Sequence, residues 1–246
     1  MSVMSAFYNT IFYQPIFNLL IGLYNLVPGH DIGVAIIILT VLIKLVLWPV
    51  SAKALKSQKA LSDLQPKVEE LKRKYKDKEQ KEELAKKLME LYSQEKVNPA
   101  SSCLPLLIQL PVFIALYQAM SHGLQSSGFE LLYSFVSQPE VIEPSLLGVI
   151  NLALPSLPLA LAAGIGQFFQ ARMMVTRRQP KDTPGAKDEQ MLSSMNKQMM
   201  YVMPFVTVFI GMQLPGGLAL YWFVMNLLTI AQQAIFFRKG KPEAAA

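Results

Sequence analysis

The sequence predicts an all-α polytopic membrane protein. Five transmembrane helices carry an N-terminal interfacial amphipathic helix and a cytoplasmic helical hairpin. Three observations predict this. Of 246 residues, 52% are hydrophobic and only 16% charged, with a mean hydropathy of +0.31, whereas an ordinary soluble domain is about 25% charged. Five apolar segments approach the roughly 20 residues that cross a hydrocarbon core. The charges, net +6, are gathered into basic blocks between those segments.

Residues 1–31 form the extracytoplasmic N-terminal unit. They contain no Lys or Arg, so no cleavable signal with a basic n-region is expected. Over 3–27, Phe7, Ile11, Phe12, Leu19, Leu20, Leu23 and Leu26 are interrupted by Asn9, Gln14, Asn18 and Asn25. Asn18 and Asn25 share a helical face with Gln14 nearby, which predicts a helix lying in the outer interface, bent at Pro15.

The first span, 32–50, contains "VAIIILTVLIKLVLWPVS" up to Ser51. Lys44 lies inside it, although a cation near the middle of a span costs about 2.5–3.5 kcal/mol on insertion scales. None of the five spans holds an acid to pair with it. Thr40 lies one turn before it and Ser51 two turns after, giving the helix one hydrophilic stripe. A lysine without a counter-charge must be wet, neutral or snorkelling. The expectation is a water-filled pocket in the cytoplasmic half of the bilayer, lined by Lys44.

Residues 51–98 turn to charged helix. Leu61, Leu64, Val68, Leu71 and Tyr75 recur at spacings of three and four, and Leu84, Leu88 and Leu91 continue the pattern after "KDKEQ". This predicts two antiparallel helices packed along one seam, the first kinked or restarted at Pro66. With 13 basic and 9 acidic residues, the hairpin reads either as a solvated element drawn to anionic headgroups or as a docking site. A ribosome, a targeting receptor or a nascent chain would be the partner.

Residues 99–237 hold the other four spans: 103–121, 147–171, 199–214 and 217–236, with a cytoplasmic loop at 171–198. The last two are separated by "LPGG", whose proline and glycines break helices. Residues 238–246 form a short cytoplasmic tail. Thirteen Lys/Arg lie in 51–98, six in 171–198 and three in 238–241, whereas 1–31, 122–146 and 214–217 have none. The positive-inside rule then places the N-terminus outside and the C-terminus in the cytoplasm.

Polar residues recur within the spans. Trp222, Asn226, Thr229 and Gln233 fall on one face of the fifth, Gln167 and Gln170 close the third, and Gln109 lies between Pro105 and Pro111 in the second. Such residues either hydrogen-bond neighbouring helices, for about 0.6 kcal/mol each, or line the pocket with Lys44. Met191, Met195, Met199 and Met203 form a stripe that suits variable apolar partners or a plain core. No P-loop, Gly-rich nucleotide fingerprint, HExxH or GxSxG appears, and intramembrane carboxylates are missing. Hydrolysis and proton-coupled transport are therefore poorly supported. No enzyme activity, cofactor, metal or nucleic-acid readout is expected.

The stretches "NPASSCLPLLIQLPVFIALYQ" (98–118), "MMYVMPFVTVFIGMQLPGGLALYWFVMNLLTIAQQ" (199–233) and "LQPK" (64–67) resemble the YidC family of membrane protein insertases. That family includes the mitochondrial oxidase-assembly and chloroplast Albino relatives. The resemblance runs over roughly 5–237 and implies a hydrophilic groove open to cytoplasm and lipid but closed to the outside. It also implies insertion of nascent membrane proteins without nucleotide hydrolysis, in a bacterial inner membrane. The family's groove-facing basic residue falls at Lys44, where lysine replaces the usual arginine. The large soluble outer domain and long basic tail of some members are not expected. Lys44, Thr40, Gln109, Gln167, Trp222, Asn226 and Gln233 are the groove candidates. Whether the ribosome and the Sec translocon take part stays open. The rival readings are an assembly chaperone without translocation activity and a small-anion channel or carrier.

Overall fold

The structure, a computed structural model, describes residues 3–75, 80–98, 104–123, 128–174 and 198–238. It is mostly helical. Helix α1 (Val3–Tyr8) runs through a π-helical turn (Asn9–Tyr13) into α2 (Gln14–Leu26) without leaving helical backbone angles. The wide turn sits directly before Pro15, whose ring and missing N–H disfavour a regular α-helical turn there. Phe17, Leu20, Ile21 and Tyr24 of α2 are buried, packed against the helices introduced next as α3 and α7.

The turn "PGHD" uses a left-handed Gly29 at φ 78°, a conformation glycine adopts without steric cost. Asp31 then caps α3 (Ile32–Val46), accepting the Val34 N–H at 2.8 Å, the arrangement expected of a helix N-cap. The segment expected as one span over 32–50 is broken at Leu47 and continues as α4 (Trp48–Asp63) after a 66° bend. Pro49 explains the break, because it cannot donate to the Leu45 carbonyl and its ring would press on that group. Beyond Leu64 the chain restarts as α5 (Gln65–Lys74), with Pro66 in its first turn. Helix α6 (Lys81–Gln94) packs on α5. Leu64 and Val68 are buried along that seam, and Lys67 pairs with Glu95 at 2.5 Å.

Helix α7 (Leu104–Gly123) contains Pro111 and buries Val112, Ala115, Leu116, Ala119 and Met120 while leaving Leu110, Ile114 and Tyr117 exposed. The following segment is largely irregular. It contains a two-residue antiparallel hairpin, β1 (Ser145–Leu146) with β2 (Ile150–Asn151). The apolar run expected to begin a span at 147 therefore starts as a hairpin turn, with Leu147 and Gly148 both at positive φ. Helix α8 (Leu157–Met174) begins only after Pro155.

A second π-helical turn (Gln198–Val202) leads into the short α9 (Met203–Gly211), and α10 (Gly216–Arg238) closes the fold. The N-terminus of α10 is held from the segment that precedes α8. Gly216 N–H donates to the Leu154 carbonyl at 2.9 Å and Gly217 N–H to that of Leu152 at 3.1 Å. These bonds satisfy two donors that a helix start leaves open. Helix α8 packs against both α9 and α10. A side chain at Gly164 would run into Val208 and stand 3.0 Å from the Pro204 carbonyl oxygen, so only glycine allows the two backbones this close. Of the methionine stripe, Met191 and Met195 lie outside the described residues.

Among the described residues, α10 over Gly216–Phe236 is the one unbroken helix that meets both length and hydropathy for crossing a bilayer. The bent α3–α4 pair meets them when taken together. The expected spans coincide with helices α3, α7, α8, α9 and α10 in order, with the altered bounds given above.

Candidate functional site

Helix α10 is the hub on which the other apolar helices meet. It packs against α3, α4, α7, α8 and α9, and along it the polar side chains are shared out among these neighbours. Toward α3, Lys44 Nζ donates to Thr229 Oγ1 at 2.9 Å, and Thr229 passes its own proton to the Met225 carbonyl at 2.7 Å. Lys44 is buried, at 7% exposure. Its one hydrogen-bond partner among the described residues is thus a neutral hydroxyl. Thr40, also buried, turns back on its own helix and donates to Ile36 at 2.6 Å. Toward α4, Gln232 donates to Ser51 at 3.0 Å.

On the α7 side, Gln109 donates to the Tyr221 hydroxyl, and Trp222 meets Phe113 edge-on at 5.8 Å between ring centres. Across from α8, Asn226 donates to the Ala163 carbonyl at 3.0 Å. Gln167 of α8 accepts from Thr207 of α9. Gln233 is fully buried, and neither of its amide atoms has a partner among the described residues.

The seven residues singled out in the sequence therefore do not form one cluster. Trp222, Asn226, Thr229 and Gln233 share a face by helical spacing, yet Thr229 pairs with α3 and Asn226 with α8. Gln109 and Gln167 belong to different junctions. The partners Tyr221, Gln232 and Thr207 were not singled out. Tyr221 and Thr207 are lone polar groups in apolar runs, and only Gln232, beside Gln233 and three residues beyond Thr229, had a spacing that pointed to the Lys44 stripe.

Helix α7 and the α8–α9 pair all pack against α10, while among the described residues α7 makes no more than glancing contact with α8 or α9. Leu110, Ile114 and Tyr117 stand exposed on α7. At the α3–α4 elbow lies a narrow crevice of about 120 Å³ bordered by Lys44, Trp48 and Gln232. Among the described residues no cluster of His, Cys, Asp or Glu is able to hold a metal ion.

Comparison with known proteins adds to this geometry. The family model described as 60Kd inner membrane protein matches residues 22–243. The membrane protein insertase YidC of Pelobacter propionicus is 37% identical over 228 residues, 91% of this chain and 38% of that protein. The membrane protein insertase YidC 1 of Listeria monocytogenes is 34% identical, covering 89% of this chain and 69% of its relative. The YidC of Fusobacterium nucleatum is 33% identical over 85% of this chain and 88% of its own length. Relatives of both longer and similar length thus share this part. A crystal structure of an active YidC insertase with its first transmembrane domain resolved superposes with a TM-score of 0.60 at 26% identity. That match covers 94% of this chain and 46% of the other. The resemblance read from the three sequence stretches is borne out: the chain belongs to the 60Kd inner membrane protein family, alongside the proteins named membrane protein insertase YidC.

Proposed function

We propose that the chain is a membrane protein insertase of a bacterial inner membrane. In this reading, helices α3, α7, α8, α9 and α10 cross the bilayer, with the N-terminus outside and the hairpin α4–α6 in the cytoplasm. The outward apolar residues support it: Phe205 and Phe209 of α9 and Ile165 and Phe169 of α8 are all more than half exposed. Such a belt is a liability in water but not in lipid. The basic residues of 51–98 and 171–198, against none in 1–31 and 122–146, support this orientation.

The observation that carries the function is Lys44, a cation within the first span whose described partner is only a hydroxyl. A carboxylate forms a charge-assisted hydrogen bond with an ammonium, roughly twice as strong as a neutral pair. An acidic outer segment of a nascent membrane protein therefore has reason to displace Thr229. Its polar part enters a groove from the cytoplasm while its apolar part passes between α7 and the α8–α9 pair, which make little contact with each other among the described residues, and partitions into lipid. Each Leu or Ile transferred contributes about 0.3–0.6 kcal/mol, so some 20 apolar residues supply the driving force without nucleotide hydrolysis. The groove lowers a barrier and is not consumed.

The test is reconstitution into liposomes with a short single-spanning substrate bearing an acidic outer tail, read as protease protection of that tail. Wild type is expected to protect it, and Lys44→Glu to protect at least tenfold less, a loss of about 1.4 kcal/mol. Lys44→Arg is expected to retain protection. Equal protection by wild type and Lys44→Glu overturns the role of the charge. Absence of protection by wild type favours a chaperone that does not translocate.

A further inference from the structure

The crevice at the α3–α4 elbow lies between α3 and α10. Each of its walls is one helical stripe at i, i+3, i+4 and i+7: Val41 to Trp48 on one side, Leu228 to Ile235 on the other. Leu45 and Ile235 are about half exposed, at 58% and 47%, so the slot opens outward between two apolar helices. No acidic residue lines it. Lys44 and Gln232 are the polar side chains of its lining. Trp48 also meets Phe236, their ring centres 6.5 Å apart, and Lys56 Nζ stands 5.9 Å from the Phe236 ring. Lys56 itself is exposed.

The dimensions and charge select the occupant. A helix with its side chains is about 10–12 Å across and does not enter a slot of about 120 Å³. That volume is also below the roughly 300–1,000 Å³ of pockets for compact ligands. A single methylene chain fits it. Aromatic rings and a lysine at the rim are the side chains found where a span meets the headgroup layer, and basic pockets between spans on the cytoplasmic side hold anionic headgroups.

We propose that this crevice binds one anionic phospholipid of the cytoplasmic leaflet, an acyl chain lying between α3 and α10 and the headgroup at Trp48 and Lys56. The assignment to that leaflet rests on the topology proposed above; the binding itself does not.

The test uses the full chain in neutral detergent, with phosphatidylglycerol and phosphatidylcholine of identical chains, read by native mass spectrometry. A one-to-one phosphatidylglycerol adduct is expected to survive activation that strips phosphatidylcholine. Lys56→Gln is expected to cut its occupancy about fivefold, from about 1 kcal/mol per basic residue near an anionic surface. Ala231→Trp, which fills the slot from an exposed position, is expected to abolish it. Equal retention of both lipids, full retention in both variants, or a dimer of the chain in place of the adduct overturns the proposal. Should Ala231→Trp not fold, phosphatidylglycerol with a photoreactive chain terminus tests the wild-type protein instead. Crosslinks within 41–48 or 228–235 support the site, and crosslinks only elsewhere overturn it. Labelling of Lys56→Cys from each side of proteoliposomes reads the orientation separately, so an inverted topology with intact lipid binding would move the site to the other leaflet without removing it.

Discussion

Helices α2 and α10 carry the same kind of sequence, an apolar helix interrupted every few residues by a polar side chain, and use the polar groups in opposite ways. In α2 they bind backbone. Gln14 and Asn18 donate to the Leu131 carbonyl, Asn18 accepts the Tyr133 N–H, and Asn25 donates to Ser137 at 2.7 Å. Tyr24 donates to Val141 and accepts from the Glu143 N–H at 3.2 Å. The strand-poor segment 131–143 thus has several of its main-chain groups partnered by the side chains of one helix. In α10 Tyr221, Thr229 and Gln232 bind the side chains of Gln109, Lys44 and Ser51, with Asn226 on the Ala163 carbonyl as the exception, and together they tie one helix to the next. The difference teaches that a polar stripe on an apolar helix marks a junction, but not what kind.

The comparison makes graded predictions. The largest effect is expected from Asn18→Leu. It strands the Tyr133 N–H at a cost of about 1–3 kcal/mol, while Gln14 keeps the Leu131 carbonyl partnered, read as a lowered melting temperature in detergent and faster protease cleavage within 131–143. Thr229→Val comes next. It removes the hydroxyl partner of Lys44 and is expected to cost about 1–2 kcal/mol, the range for interhelical hydrogen bonds in model peptides, with cleavage within 131–143 unchanged. A double-mutant cycle on Ser51→Ala and Gln232→Leu is expected to give a coupling near 0.6 kcal/mol, the average for such pairs inside membranes. Should the α10 variants cost more than Asn18→Leu, the 131–143 segment is held by something other than α2 and the contrast fails. The smallest effect belongs to Lys67→Gln, which breaks an exposed pair with Glu95 worth about 0–1 kcal/mol and weakened by salt.

Where the sequence fell short, the reason lies in which partner a residue meets. Asn18 and Asn25, with Gln14 nearby, were read as one face of a helix lying in the outer interface, and the 131–137 backbone was not named as their partner, since water, headgroups and loop backbone all suit an amide equally well. The run from 147 was read as the start of a span because it is apolar. Its ten residues include Gly148, Asn151 and Pro155, and the Asn151 side chain accepts the Ala153 N–H at 2.9 Å, a turn that hydropathy does not register. The elbow at Leu47 was visible in Pro49 but was absorbed into the span by counting apolar residues.

By itself the sequence determined what depends on local or summed properties. These are helices at the five apolar segments, a kink or restart at Pro66, the family, and Lys44 as the anomalous charge, because one cation among aliphatic residues is conspicuous whatever surrounds it. Only the tertiary structure decided that Lys44 faces Thr229, that α10 is the hub, and that α7 stands apart from α8 and α9. Those outcomes turn on side-chain pairings between residues up to 185 positions apart. An apolar helix is indifferent to rotation about its own axis until a neighbour's small or polar residue selects one face.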